Sequence, residues 1–272
     1  MIKRTLLGAT AVAATLVLAA CGSSDNTASD NGGATAGASG AAGANLSLVK
    51  DGSLTVCSDA PYKPFDVIDG DTFGGFDGDV ITAVAGKLGL KVVPIDTGFD
   101  AISSGLAVKS HQCDMSASAM TITDERKANI TFSEPYYDSK QSLLVPAGSD
   151  IATLADTDGK KIGVQKDTTG ESYAKEHASG AKIYSFPDDA AEFAALQGGT
   201  VDALLQDLPV NLEHTTDDKY KIAEQYDTGE QYGFGFNKTG SEDLVKAFDD
   251  ALASMKSDGS YDAIYNKYFA TN

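Results

Sequence analysis

Ser118-Ala119-Met120-Thr121-Ile122-Thr123-Asp124-Glu125-Arg126 follows an apolar-leaning run, Cys113 to Ala117, that reads as the end of a strand. The stretch then supplies small side chains, two threonines and one arginine at the start of a short polar helix. A helix N-terminus presents free backbone N–H groups and a partial positive charge, which suits an anion. An arginine adds a planar fork of donors that can grip a carboxylate in two places. Ala119, lacking bulk, leaves its carbonyl reachable by a cation such as an ammonium. One short segment could thus hold both ends of an amino-acid backbone. The same letters also describe a surface helix capped by Thr123 with a solvated Arg126, so the flanking chain has to decide.

Upstream, Leu54-Thr55-Val56-Cys57 predicts a strand, followed by the turn-rich Ser58 to Phe65. Val80, Ile81, Val84 and Leu88 fall at helical spacing behind Gly75-Phe76-Asp77-Gly78-Asp79. Lys91 to Ile95 predicts a strand, and Phe99, Ile102 and Leu106 mark one further helix. Downstream the rhythm restarts after Leu143-Leu144-Val145-Pro146. Strands are expected at Lys161 to Gln165, Ala181 to Phe186 and Val201 to Gln206, the last ending on Asp207. Helices are expected near Glu171 to His177, capped by Thr168-Thr169, and over Ala190 to Leu196. A final apolar strand, Tyr232 to Phe236, precedes two helices carrying Leu244, Phe248 and Leu252, then Tyr261, Ile264 and Phe269. Strand alternating with helix is the pattern of sheets covered on both faces. Two α/β lobes joined by crossing strands is the economical reading. Ligands in such sheets bind beyond the carboxyl ends of strands, where Asp59, Ser118, Gln165 and Asp207 all lie.

The N-terminus reads as a processing signal. Lys3 and Arg4 precede the apolar stretch Leu6 to Ala20, which is short for a bilayer span and fits a signal peptide over residues 1–20. Leu18-Ala19-Ala20-Cys21-Gly22 resembles a bacterial lipobox, in which the chain is cut before a cysteine that then carries lipid; an ordinary signal cleavage beside an incidental cysteine is the alternative. A lipid on Cys21 would tether the chain outside the cytoplasm, on the cell membrane, without a spanning helix. Residues 21–48 follow as an expected flexible linker, since Gly22 to Asn45 holds no aromatic and no aliphatic larger than alanine.

The formal charge is -18, and about -20 without Lys3 and Arg4 (19 basic against 39 acidic residues). Such a surface argues against nucleic acid or anionic lipid as a partner. His111, His177 and His214 lie far apart with no metal-binding spacing, so neither a metal site nor a cofactor is expected. Cys57 and Cys113 remain either as a disulfide between neighbouring strands or as two buried thiols.

Read in order, these pieces resemble the polar amino-acid family (family 3) of extracytoplasmic solute-binding proteins that serve ABC importers. The resemblance covers essentially residues 53–269. It rests on Asp59-x-x-Tyr62-x-Pro64-Phe65, Gly75-Phe76-Asp77, Phe99-Asp100, Met120-Thr121-Ile122-Thr123-x-x-Arg126 and Phe132-Ser133-x-Pro135-Tyr136, and on Val164-Gln165-x-x-Thr168-Thr169, Gln206-Asp207 and Asp258-Gly259-Ser260-Tyr261. It implies a two-lobed, periplasmic-binding-protein-like α/β fold (type II), each lobe a mostly parallel sheet flanked by helices. Two hinge strands would join residues 49–138 plus 232–272 to residues 139–231. It implies that Arg126 pairs with a ligand α-carboxylate, helped by Thr121 and by backbone N–H groups near Thr121 and Thr169. Asp207 would accept the α-ammonium, with the Ala119 carbonyl as second acceptor, and Tyr62 and Phe99 would sandwich the side chain. Ser118 and Asp59 would line the same cleft.

Plain alternatives are that Asp207 is a helix N-cap and that the two aromatics are core residues. Two positions depart from the pattern: Asp167 stands where many relatives have glycine, and Gly78 where an aliphatic residue is usual. The implied activity is capture of an amino acid and delivery to a membrane permease, by a monomer. Asp59, with Asp77 or Glu134, tilts the ligand toward a polar or basic side chain, while Lys63 and Lys166 are the only extra bases suggested. A dehydratase of cyclic carboxylates such as arogenate, with Glu134 or Asp167 as acid or base, and a ligand-sensing surface lipoprotein are the alternatives.

Overall fold

A computed structural model describes residues 46–270 of the 272-residue chain. The expected signal peptide, Cys21 and the linker up to residue 45 lie outside the described residues. Leu46 and Leu48, placed in the linker by position, pack instead against the first core.

From Ser53 the chain runs through β1 (Ser53–Ser58), a small hairpin of β2 (Val67–Asp69) and β3 (Thr72–Gly74), helix α1 (Gly75–Leu88) and β4 (Lys91–Asp96). Helices α2 (Phe99–Ser103) and α3 (Leu106–Lys109), strand β5 (Met115–Ser116), the single turn α4 (Asp124–Lys127) and β6 (Ile130–Phe132) follow. A long strand, β7 (Tyr137–Pro146), opens a second sheet with β8 (Lys161–Gln165), α5 (Thr169–His177), β9 (Lys182–Phe186), α6 (Asp189–Gln197), β10 (Ala203–Asp207), α7 (Leu208–Glu213) and β11 (Tyr220–Tyr232). The chain closes on β12 (Gly235–Asn237), α8 (Glu242–Asp258) and α9 (Ser260–Phe269).

The sheets are ordered β4-β1-β5-β12-β6 and β11-β7-β10-β8-β9. The pairs β1–β4, β1–β5, β8–β9 and β8–β10 are parallel, as the alternation of strand and helix leads one to expect. The other pairings are antiparallel, so each sheet is mixed. They involve β7, β11 and β12, the segments through which the chain passes between the two sheets.

Alternate residues feed opposite faces of each sheet, as the period of a strand requires. Leu143 and Val145 enter one core while Leu144 enters another, and Leu205 and Leu204 divide the same way. Burial on both faces is why these segments read as unbroken apolar runs. In the first sheet Leu54 and Val56 join the large aromatic core, and Cys57 faces the smaller one with Phe99 and Ile102. Cys57 and Cys113 form a disulfide there, their Cα atoms 5.8 Å apart.

Two elements differ from expectation. The single helix expected through Phe99, Ile102 and Leu106 breaks at Gly105, whose φ of 76° no helix interior adopts, and Leu106 turns outward, 59% exposed. The expected strand Tyr232 to Phe236 is divided: Tyr232 ends β11, and β12 starts only at Gly235. Gly78 has a plain packing reason, since a Cβ there would stand 2.7 Å from the Phe73 carbonyl carbon.

Candidate functional site

α4 is one turn long, capped by Thr123, whose Oγ1 accepts the Arg126 N–H at 3.1 Å. The cap therefore uses an N–H that an anion would otherwise have met. The arginine is nonetheless buried, 7% exposed. Its Nη1 donates to the Thr121 carbonyl (2.7 Å) and its Nη2 to the Asp167 carbonyl (3.0 Å), while the guanidinium lies 5.2 Å from the Phe99 ring centre. Burial pulls the guanidinium pKa down, and the negative charges of Asp207 and Glu230 oppose that fall. Asp167, at φ 63°, presents its carbonyl here and turns its carboxylate to Lys166.

Asp207 ends β10 and occupies the N-cap position of α7, yet its side chain makes no capping bond. Its carboxylate accepts instead from Tyr62 (3.0 Å), Tyr232 (2.6 Å) and Gln141 Nε2 (2.5 Å). Burial, then the nearby Glu230 charge, push its pKa up to about 7 against the pull of those three bonds.

Ala119 takes a left-handed conformation, φ 43°, and its N–H points into the core, donating to Asp77 Oδ2 at 3.1 Å. Asp77 is fully buried and also accepts from Tyr136 (2.9 Å). The G-F-D motif thus acts from beneath, fixing the backbone of the site. Ser118 Oγ accepts the Asp59 N–H at 3.3 Å, and Asp59 Oδ2 accepts from Gln165 Nε2 at 2.6 Å. Burial raises the Asp59 pKa to about 6; the Gln165 bond opposes this, and Asp188, Asp96 and Asp100 add to it.

Tyr62, Phe99, Ser118, Ala119, Thr121, Arg126, Thr169 and Asp207 line one small cavity of about 20 Å³, together with Gln165 and Thr168. Asp59 stands off the wall, reached through Gln165. Tyr62 and Phe99 both belong to core clusters as well as to the cavity wall, so each is anchored from behind. Lys63, Glu134 and Lys166 do not line the cavity.

Two polar residues of the site, Gln141 and Glu230, escaped the sequence reading, and a third, Tyr232, is expected there only as the start of a strand. Gln165 was visible as a strand end beside Thr168-Thr169. Gln141 and Glu230 sit on β7 and β11, where no apolar alternation marks them. Glu230 Oε2 accepts from Thr121 Oγ1 and Thr169 Oγ1, each at 3.2 Å, and from Gln141 Nε2 at 3.0 Å. Among the described residues no cluster of three His, Cys, Asp or Glu side chains suits a metal ion, and no helix is long and apolar enough to cross a membrane.

Chains of known kind carry the same arrangement of sheets. A probable histidine-binding protein of Campylobacter jejuni is 35% identical over 219 residues, spanning 79% of this chain and 84% of that one. An ancestral arginine-binding protein, solved with glutamine bound, is 38% identical with a TM-score of 0.75, covering 81% of this chain and 99% of its own. The ancestral amino acid-binding protein AncCDT-1, a precursor of cyclohexadienyl dehydratase, is 36% identical with a TM-score of 0.72, over 80% and 95% of the two chains. The profile of one family matches residues 54–271, from β1 to the end of α9 and through every residue of the cavity wall. On that match the chain belongs to the bacterial extracellular solute-binding proteins, family 3.

Proposed function

We propose that the protein captures an amino acid between two lobes, residues 49–138 with 232–272 and residues 139–231, and delivers it to an ABC importer. A lipid on Cys21 would hold it at the membrane. The observation that carries this reading is the pair Arg126 and Asp207, opposite charges buried on the wall of one cavity. A zwitterion leaving water needs each charge met by its opposite, because an unpaired buried charge is costly. Arg126 takes the α-carboxylate and Asp207, with the Ala119 carbonyl, the α-ammonium. Tyr62 and Phe99 enclose the side chain. Asp59, with the charges of Asp188, Asp96 and Asp100 around it, makes that end of the cavity negative and favours a polar or basic side chain. The names of the relatives, which bind histidine, arginine or glutamine, point the same way.

A thermal-shift screen of refolded, ligand-stripped protein against the twenty L-amino acids, opines and polyamines tests the assignment. One or two L-amino acids should raise the melting temperature by mass action. Arg126→Ala should then lose at least about a hundredfold in affinity, since removing one partner of a buried charge pair costs roughly 3–5 kcal/mol. Unchanged affinity in that variant would remove Arg126 from the carboxylate role.

A further inference from the structure

Glu230 is a carboxylate beside the site to which the sequence motifs give no role. It lies near the end of β11, half-buried, outside the cavity wall but bonded to Thr121 and Thr169, which line it. A single oxygen, Oε2, is the meeting point of the Thr121 and Thr169 hydroxyls and the Gln141 amide. Gln141 Nε2 carries two protons, and the carboxylates of Asp207 and Glu230 are its nearest acceptors. Its buried Oε1 is left without a partner, and turning the amide over would aim that oxygen at two carboxylates. The amide orientation is therefore set.

The same logic applies to the threonines. A hydroxyl has one proton and two lone pairs, and a carboxylate only accepts. The Thr121 and Thr169 hydroxyls lie 3.4 Å apart, so each could donate to the other, but a bond to an ionised acceptor is roughly twice as strong as a neutral one. Both protons go down to Glu230, and both hydroxyls, which line the cavity, present lone pairs upward. With Asp207 beside them this stretch of wall, the floor of the cavity, becomes a set of acceptors.

We propose that Glu230 is a positioning residue that sets the hydrogen-bond polarity of this floor, drawing the Thr121 and Thr169 protons onto Oε2 so that the site receives N–H groups there and repels carboxylate oxygens. This rests on the amino-acid reading above and narrows it. The floor selects the ammonium end of the ligand, and the carboxylate is left to Arg126 and backbone N–H groups.

Two substitutions in the full-length protein separate polarity from charge and from folding. Glu230→Met keeps length and shape and cannot accept, whereas Glu230→Gln loses the charge and keeps an acceptor oxygen. Each variant is titrated with those of the twenty L-amino acids that stabilise the unmodified protein, and with the α-deamino acid of the same side chain. Glu230→Met should weaken the amino acid about tenfold or more, the scale of one hydrogen bond to a charged group, and leave the deamino acid unchanged or tighter. Glu230→Gln, which keeps an acceptor oxygen without the charge, should weaken the amino acid less than Glu230→Met does. Equal weakening of both compounds by Glu230→Met, or no weakening at all, overturns the role of Glu230 and leaves amino-acid capture standing. If no amino acid stabilises the unmodified protein, both proposals fall together.

Discussion

Asp207 carries a carboxyl whose pKa stands at about 7 where 3.8 is ordinary, because burial and the Glu230 charge outweigh its three hydrogen bonds. Ligand-free protein therefore holds it protonated below pH 7, whereas an ammonium favours the ionised form. Binding at pH 6 should release a proton, and affinity should fall by up to about tenfold for each unit below 7. Calorimetric titrations in two buffers of unlike ionisation enthalpy read that proton directly; heats that agree at pH 6 would contradict it. The same shift has a second sign. An aspartate raised in the folded state ionises first in the unfolded chain, so its contribution to ligand-free stability is full below about pH 4 and is lost as pH rises to 7. Asp77, also raised to about 7 by burial, adds to that decline. Arg126 and Asp207 were legible in the sequence because one stands on a polar turn behind small residues and the other ends an apolar strand. Their partners were not: Gln141 and Glu230 lie in polar stretches, and the bonds that bring them in span 66, 89 and 109 residues of chain.

β11 shows why some elements stay hidden. It is the longest strand, 13 residues, and only its last, Tyr232, falls within a strand expected from the sequence. It is an edge strand with polar and half-buried residues alternating, and its register shifts between Ile222 and Glu224 and again between Tyr226 and Glu230. Bulges break the period of two on which a strand is recognised. The outer half of β7, Tyr137 to Ser142, is equally polar, and only its apolar end was seen. The strands that are covered on both faces and the long amphipathic helices were legible for the opposite reason: burial leaves a plain apolar record. Within α1, two glycines make a test of local geometry. At Gly75, φ is 83° and a Cβ would stand 2.1 Å from the Phe65 carbonyl oxygen, while at Gly86 a Cβ would meet nothing within 4 Å. Gly75→Ala should destabilise by about 3 kcal/mol or more, from combined strain and overlap. Gly86→Ala should stabilise by about 0.5–1 kcal/mol through helix propensity. Urea midpoints of the two variants should move in opposite directions; a shared sign would refute the geometry of the α1 start.

At the scale of the molecule, each sheet has its own pair of cores, and β7 and β11 end among the aromatics of the first. Tyr137 and Tyr232 sit 5.1 and 5.3 Å from the Phe65 ring. Both crossing strands also carry residues bonded to the site, Gln141 and Glu230, so the connection between sheets and the Asp207 end of the cavity are built from the same backbone. The Cys57–Cys113 disulfide closes a 56-residue separation within the first half, beside Phe99. Its removal by Cys57→Ser with Cys113→Ser should cost about 4 kcal/mol on loop entropy. Chemical denaturation under oxidising conditions measures this, and an unmoved midpoint would mean the cross-link adds nothing to stability. The two bulges and the charges of Lys221, Glu224, Asp227 and Glu230 have one last effect. Before Gln231, where the Ile122 N–H already donates to the edge, a long edge with backbone donors and acceptors is a template for pairing with another chain, and copies at high concentration would meet edge to edge. Irregular register and three carboxylates to one lysine along such an edge disfavour that pairing, so the features that hide β11 from a reader of the sequence also make it a poor partner for a second molecule.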